Sequence, residues 1–400
     1  MAQRRRSRGL TKMPGVAQDE LRRHNLSAVL RYVHVHGPTT RAVLTAETGL
    51  NRSTIRALTA DLIAAGLVRE ELPTDRGRAG RPSLVVHPES SRVYVLAFDL
   101  GVDFLVAGRI GLGGRVLARL EAERPRGDYP PAEAVSRLAA FARELLVEDG
   151  RCLGVGVGVA GLVRDSDGLV RLGPNLGWTD VPLGEMLRKA IPGLPVSVGN
   201  DADLGARAEQ VRGAGAGATD IVYLTGEAGV GGGVISDGRP LRGRGGYAGE
   251  VGHMIVNRGG RLCRCGARGC WETEIGEAAL LDAADSPGTE RSSFGLVLDA
   301  AAGGDAVALR AVRQVGGWLG VGVRNLVNIL NPEVVIFGGL LRPLFPLVEA
   351  DLHATLQGGG LVAPTERVRL LAPALGADST LHGAAELAFT PLLADPLGTP

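Results

Sequence analysis

The segment Glu250-Val251-Gly252-His253, followed by Cys263-Arg264-Cys265-Gly266-Ala267-Arg268-Gly269-Cys270-Trp271-Glu272, decides how the rest of the chain is read. It holds three of the chain's four cysteines within eight residues. Three thiols and one imidazole make a complete tetrahedral donor set for zinc. Gly266 and Gly269 permit the tight turns that would bring three sulfurs to one ion. A disulfide with one thiol left over is the alternative. Nothing in the sequence suggests an oxidising compartment, however, and disulfides are rare in the cytosol. The segment therefore predicts a structural Zn2+ on His253, Cys263, Cys265 and Cys270. Cys152 lies in an apolar run and reads as an ordinary core thiol.

Working outward, 400 residues with 45% hydrophobic content are enough for two or three domains with a sizeable core. The net charge of +1 supplies no global field toward nucleic acid or a membrane. Lys12 and Lys189 are the only lysines, and glycine is abundant. That composition looks like the coding bias of a GC-rich genome, so arginine richness by itself says little about partners. Arg4, Arg5, Arg6 and Arg8 make the first residues basic, but no apolar stretch follows them as in a secretion signal. The run Leu153 to Val163 is too short and too glycine-rich to span a bilayer. A soluble cytoplasmic protein is expected, with residues 1–19 as a disordered basic tail.

Residues 20–88 carry a pattern of their own. Leu26, Val29, Leu30 and Val33 fall at helical spacing, and Gly37-Pro38 ends that helix. Thr39 or Thr40 can cap a second helix that runs to about Thr48, with Gly49 as the turn. Asn51 can cap a third, whose buried face would be Ile55, Leu58, Leu62 and Ile63. A helix followed by two short helices about a glycine turn is a helix-turn-helix. Leu67 to Glu71 and Ser83 to His87 read as two strands around a basic, glycine-rich tip, which makes a wing. The third helix would present Arg52, Ser53, Thr54 and Arg56 to a major groove, and the tip would offer Arg76, Arg78 and Arg81 to the backbone or minor groove. A winged helix can also serve as a protein-interaction module. Arginines at the reading helix and wing, with Asp61, Glu70 and Glu71 toward the far end, favour double-stranded operator DNA as the partner.

Residues 89–400 alternate strands and helices. Val93 to Asp99, Phe104 to Ile110 and Arg115 to Ala122 read as successive hairpin strands, followed by a helix over Ala132 to Glu148. Further strands are expected at Cys152 to Val159, Ile221 to Thr225, Gly232 to Ser236 and Val334 to Phe337. Helices are expected over Asp203 to Arg212 and through Leu319, Val323, Leu326 and Leu330, the latter stopped by Asn331-Pro332. The fold class is α/β, with mixed sheets covered by helices.

With Glu-x-Gly-His and Cys-x-Cys-Gly-x-x-Gly-Cys-x-Glu in place, the chain resembles the ROK family, which groups bacterial sugar-responsive repressors with sugar kinases. The resemblance spans residues 20 to 390. It implies a winged helix-turn-helix followed by a two-lobed actin/hexokinase-like domain with a sugar cleft between the lobes. It also implies that His253 both binds zinc and touches the sugar, since the two imidazole nitrogens point apart. By the same resemblance Glu250 and Glu272 hold sugar hydroxyls. Pro174-Asn175-Leu176-Gly177-Trp178 and Gly199-Asn200-Asp201-Ala202 match the family's other sugar loops, which makes Asn175, Asn200 and Asp201 candidates. Trp178 reads as a packing residue rather than a sugar platform.

In the family's kinases the aspartate matched by Asp201 is the general base on the sugar hydroxyl. Phosphoryl transfer also needs phosphate cradles, and here they are altered. The first resembles Asp-x-Gly-Gly-Thr-Lys but reads Asp99-Leu100-Gly101-Val102-Asp103-Phe104, with a carboxylate in the loop and no cation expected beside it. The second keeps its glycines but carries Glu227. Asp201 is then a vestigial base. The expected function is a non-enzymatic, sugar-responsive regulator, most simply a repressor of carbohydrate genes acting as a homodimer or homotetramer. An ATP-dependent sugar kinase carrying a DNA-binding domain is the alternative, and an architectural DNA-binding protein with a vestigial cleft is a third reading.

Overall fold

The computed structural model describes residues 14–73, 83–286, 291–358 and 361–398. Residues 1–13 and the wing tip with Arg76, Arg78 and Arg81 lie outside the described residues.

The first helix runs Pro14–His36, six residues further back than the tail boundary at residue 19 allowed. Helices Arg41–Thr48 and Arg52–Ala64 follow. Thr40 Oγ1 accepts from the Val43 amide, and Asn51 Oδ1 accepts from the Thr54 amide at 2.9 Å. Each satisfies a backbone donor that a helix start leaves open. Gly49 closes the second helix at φ +68°. The buried face of the third is Ile55, Leu58, Thr59 and Leu62 rather than one including Ile63, which is 39% exposed. The spacing i, i+3, i+4, i+7 from Ile55 ends at 62, and residue 63 has already turned toward solvent. The wing strands are Val68–Glu71 and Val85–Pro88, and Thr39–Thr40 joins them as a third strand, order 39–40, 85–88, 68–71.

Two lobes make up the rest. The first lobe's sheet runs Val196–Asn200, Arg151–Val159, Val93–Leu100, Phe104–Gly111, Val116–Glu123, the first three parallel and the last two added as antiparallel hairpins. The second lobe's sheet runs Arg239–Pro240, Val230–Ser236, Ile221–Gly226, Val334–Gly339, Arg369–Leu371. A three-stranded ribbon, Leu162–Arg164, Leu169–Gly173 and Trp178–Val181, sits at the cleft edge of the first lobe. Trp178 is buried there and its Nε1 donates to the Tyr129 carbonyl, so it packs the lobe.

Helix Ser379–Ala394 returns from the second lobe to the first, packing on strands Val93–Leu100 and Arg151–Val159 and on helix Asp201–Arg212. It is nearly all small or apolar residues, and Phe389 and Leu393 are buried among Leu26, Val29 and Leu30 of the head and Val93, Val95 and Ile110 of the first lobe. The head therefore has no core fully separate from the body. Truncating Phe389 to alanine should cost about 3–5 kcal/mol, as for other buried phenylalanines.

Candidate functional site

His253 ends a short 3-10 turn, Val251–His253, entered through Gly249 at φ +92°. The cysteine loop folds back so that Ile255 bridges Cys270 and Leu262 bridges Arg268. Gly269 is required by this fold. It sits at φ +73°, and a Cβ there would lie 1.5 Å from the Asn257 carbonyl oxygen. One ligand atom from each of His253, Cys263, Cys265 and Cys270 falls within 4.8 Å of all the others. Cys263 Sγ is 3.6 Å from His253 Nδ1, and Cys265 Sγ is 3.6 Å from Cys270 Sγ. Sulfurs about 2.3 Å from a tetrahedral zinc stand about 3.8 Å apart, so the donor set fits that ion. The Cys265 amide points at Cys263 Sγ at 3.4 Å, a contact that favours thiolate. Backbone hydrogen bonding from Ala267 lowers the Cys265 pKa, whereas burial and the neighbouring Glu272 push that of Cys263 up.

Cys263 and His253 also line a cavity of about 310 Å3 between the lobes, together with Asn175, Asn200, Asp201, Glu250 and Glu272. All six residues read as sugar ligands thus converge on one cleft. His253 Nδ1 faces the sulfurs, and its Nε2 is 4.0 Å from a Glu250 oxygen, so the two ring nitrogens divide between the metal set and the cleft. Glu272 Oε1 lies 3.6 Å from His253 Nδ1, and its Oε2 accepts weakly from the Val230 amide at 3.4 Å. Asn200 caps helix Asp201–Arg212, its Oδ1 taking the Asp203 amide while its Nδ2 donates to the Gly161 carbonyl at 3.0 Å. One amide hydrogen is left for a ligand. Asp201 begins that helix, 9% exposed, and burial raises its pKa to about 7. Burial, and Glu272 beyond it, also raise that of Glu250. Asp201 and Glu250, both with raised pKa, stand beside an amide and an imidazole and offer donors and acceptors in pairs, as a polyol requires.

Arg264, between two of the cysteines, was not among the expected site residues. Its guanidinium crosses the cleft to donate to Asn175 Oδ1 of the first lobe. Only its place inside the cysteine motif hinted at this.

The two loops read above as phosphate cradles are occupied by protein contacts. Asp103 pairs with Arg126 at 2.8 Å, which corrects the expectation that no cation stands beside it; Arg126 arrives from a loop 23 residues on. Arg126 also pairs at 2.5 Å with Glu277 of the second lobe. Glu227 Oε2 accepts from the Val102 amide of the first lobe at 3.3 Å. Asp103, through Arg126, and Glu227 therefore belong to contacts that tie the two lobes together. Phe104 lies over Gly101 so closely that a Cβ there would meet the ring at 2.4 Å.

At the surface expected to face DNA, Arg52, Ser53 and Arg56 are exposed on helix Arg52–Ala64 and Thr54 half so. Behind it, His34 of the first helix is fully buried against the body. His34 Nδ1 accepts from the Gly113 amide at 2.9 Å, which leaves its Nε2 to donate to Glu386 at 3.0 Å. Arg212, closing helix Asp201–Arg212, donates to Glu386 and to the Gly113 carbonyl. Burial opposes the Glu386 charge, yet His34 and Arg212 hold its pKa down to about 2.

A two-lobed mixed α/β body with this cleft and cysteine loop defines a sugar-kinase-like class. A model of the ROK family matches residues 95–390, and the chain belongs to that family. It is 28% identical over 370 residues to the xylose repressor of Bacillus subtilis, covering 92% of this chain and 95% of the relative. A crystal structure of a ROK family transcriptional regulator, described as a homologue of the E. coli MLC protein, superposes with a TM-score of 0.77 at 27% identity, over 95% of this chain and 98% of that one. A ROK family glucokinase from Streptomyces griseus, in complex with glucose and AMPPNP, superposes with a TM-score of 0.64 at 31% identity, over 74% of this chain and 98% of its own. Among the described residues no helix is long and apolar enough to cross a membrane.

Proposed function

We propose that this chain is a transcriptional repressor whose grip on operator DNA is switched by a sugar held between the lobes. The observation that carries this reading is helix Asp201–Arg212. It starts at Asp201 in the cleft and, about 17 Å away at 1.5 Å per residue, ends at Arg212 against the buried residue that seats the head. A sugar favouring one lobe arrangement would bias the seat of the reading helix, by its difference in affinity for the two states. The relatives named as xylose repressors make xylose the first sugar to test.

In this reading residues 20–88 read DNA, 89–400 sense the sugar, and two heads in a cytoplasmic homodimer, or in a homotetramer, meet a palindromic site. Arg52, Ser53, Thr54 and Arg56 face the groove, with Arg76, Arg78 and Arg81 on the wing. Asn175, Asn200, Asp201, Glu250, His253 and Glu272 hold the sugar. Zinc on His253 and the three cysteines supplies a fixed tetrahedral node, and the loop around it aims His253 and Arg264 into the cleft. No sugar kinase activity is proposed, because Asp103 and Glu227 place carboxylates and lobe-to-lobe contacts where phosphates would lie.

The test is binding to the DNA upstream of the chain's own coding region, with and without a panel of sugars, at fixed salt. Specific binding relieved by one sugar is the expected result. Absence of specific binding, with ATP turnover on a sugar, would replace this reading with the kinase.

A further inference from the structure

A second cavity, of about 360 Å3, lies behind the cleft, and Asn200 stands in the wall of both. Its other walls are the turn 165–168, strand Val196–Asn200, the early part of helix Asp201–Arg212, and Leu387 and Thr390 of helix Ser379–Ala394. Three guanidiniums line it: Arg188, Arg207 and Arg242.

Their charges are unevenly matched. Arg242 pairs with Asp165 at 2.6 Å. Arg207 donates to the Glu386 carbonyl at 3.1 Å and to Thr390 Oγ1 at 2.9 Å. Arg188 reaches only the carbonyls of Val196 and Asp167, at 3.5 and 3.4 Å. Among the described residues neither Arg207 nor Arg188 has a carboxylate within ion-pair distance, and Asp167 is engaged by Arg164. Burial lowers the Arg207 pKa; Glu386 opposes the shift, and Arg242 and Arg31 of the head add to it. Guanidiniums that repel one another in a half-dry cavity call for an anion, and the planar fork suits phosphate oxygens.

Asp203 lines the same cavity, one helical turn before Arg207. It is beyond ion-pair distance of that arginine, and its carboxylate has no hydrogen-bond partner among the described residues. Burial raises its pKa to about 7, so near neutrality it can both donate to and accept from a hydroxyl. Asp165 and Asp167 also line the cavity, but Arg242 and Arg164 hold them, so Asp203 is the lining carboxylate outside any ion pair among the described residues.

We propose that this second cavity binds a small phosphorylated polyol, with Arg188, Arg207 and Arg242 on the phosphate and Asp203 on a hydroxyl. Such a ligand would touch the helix that runs from the cleft to the head, and it would touch Arg207, which already holds the backbone of Glu386. A second metabolite would then reach the head without entering the sugar cleft.

The test is calorimetric titration of the full chain at constant ionic strength with sn-glycerol 3-phosphate, inorganic phosphate and glycerol. Saturable binding of glycerol 3-phosphate is expected, about ten-fold weaker binding of inorganic phosphate, and none of glycerol. Arg207→Met should weaken glycerol 3-phosphate by about ten-fold or more. Because Arg207 also braces a helix, the exposed Arg188→Gln is the second variant. It should weaken binding by about three-fold or more while the melting temperature stays unchanged. No saturable binding of glycerol 3-phosphate, or binding that survives both substitutions, overturns the site. Equal affinity for the two phosphates overturns the polyol and the part given to Asp203.

Discussion

Asp201 is held in a place where its charge is unwelcome. Its pKa in the fold is about 7 against an ordinary 3.8, so the native state binds more protons than the unfolded chain between those values. Stability from this group is full below about pH 4 and declines as pH rises toward 7. Asp201→Asn should therefore melt a few degrees above the parent at pH 8, and the gap should close by pH 4; scanning calorimetry across that range checks it. An equal gap at both pH values would remove the burial argument. Cys263→Ser should abolish bound zinc, measured by elemental analysis, and blunt the effect of sugar on DNA binding; full metal content with an unchanged response would refute the role given to the loop. The cysteine and histidine cluster was legible because its motif is local. Arg264 and Arg126 were not, because each acts across a cleft or from a distant loop that no spacing rule connects.

Helix Arg52–Ala64, proposed to read DNA, is an element whose start depends on one side chain. Asn51 receives the Thr54 amide, and Ser53 Oγ donates to its Oδ1 at 2.6 Å. Asn51→Ala should cost about 1 kcal/mol of stability in urea denaturation. It should also weaken DNA binding, since Arg52 and Ser53 lie in the turn it organises. Arg56→Ala leaves the cap intact. It should cost about 1–3 kcal/mol and relax one operator position if it reads a base, or lower the salt slope by about one if it holds a phosphate. Titrations at several salt concentrations tell these apart. At this scale the sequence was most transparent where turn chemistry is strong, as at Gly49, Asn51 and Asn331. It was opaque for Thr39–Thr40, two residues too few for any periodicity, whose strand character comes only from pairing with Val85 and Val86. The ribbon Leu162–Arg164, Leu169–Gly173 and Trp178–Val181 escaped because its short strands are fixed by pairing with one another.

Across the whole molecule, the contact of His34 with Glu386 and Arg212 joins head to sensor. Glu386→Gln keeps the shape but removes the charge that both partners address. Sugar affinity should stay within about two-fold, while the sugar-induced loss of DNA affinity should fall by about ten-fold or more; parallel calorimetry and DNA titration check both. A variant that still responds fully would show that the signal takes another route. The two-lobed plan was readable from alternating strands and helices, but the seat of the head was not, because its residues lie 352 positions apart. That separation bears on synthesis. The helix-turn-helix leaves the ribosome early, while the helix that covers its apolar side, Ser379–Ala394, emerges only after both lobes have been made. For most of translation Leu26, Val29, Leu30 and the inner face of strand Val93–Leu100 have no cover, so a stalled or truncated chain would expose a sticky DNA-reading fragment. Quality-control proteases that find such surfaces would then guard the operator against repressors that cannot hear a sugar.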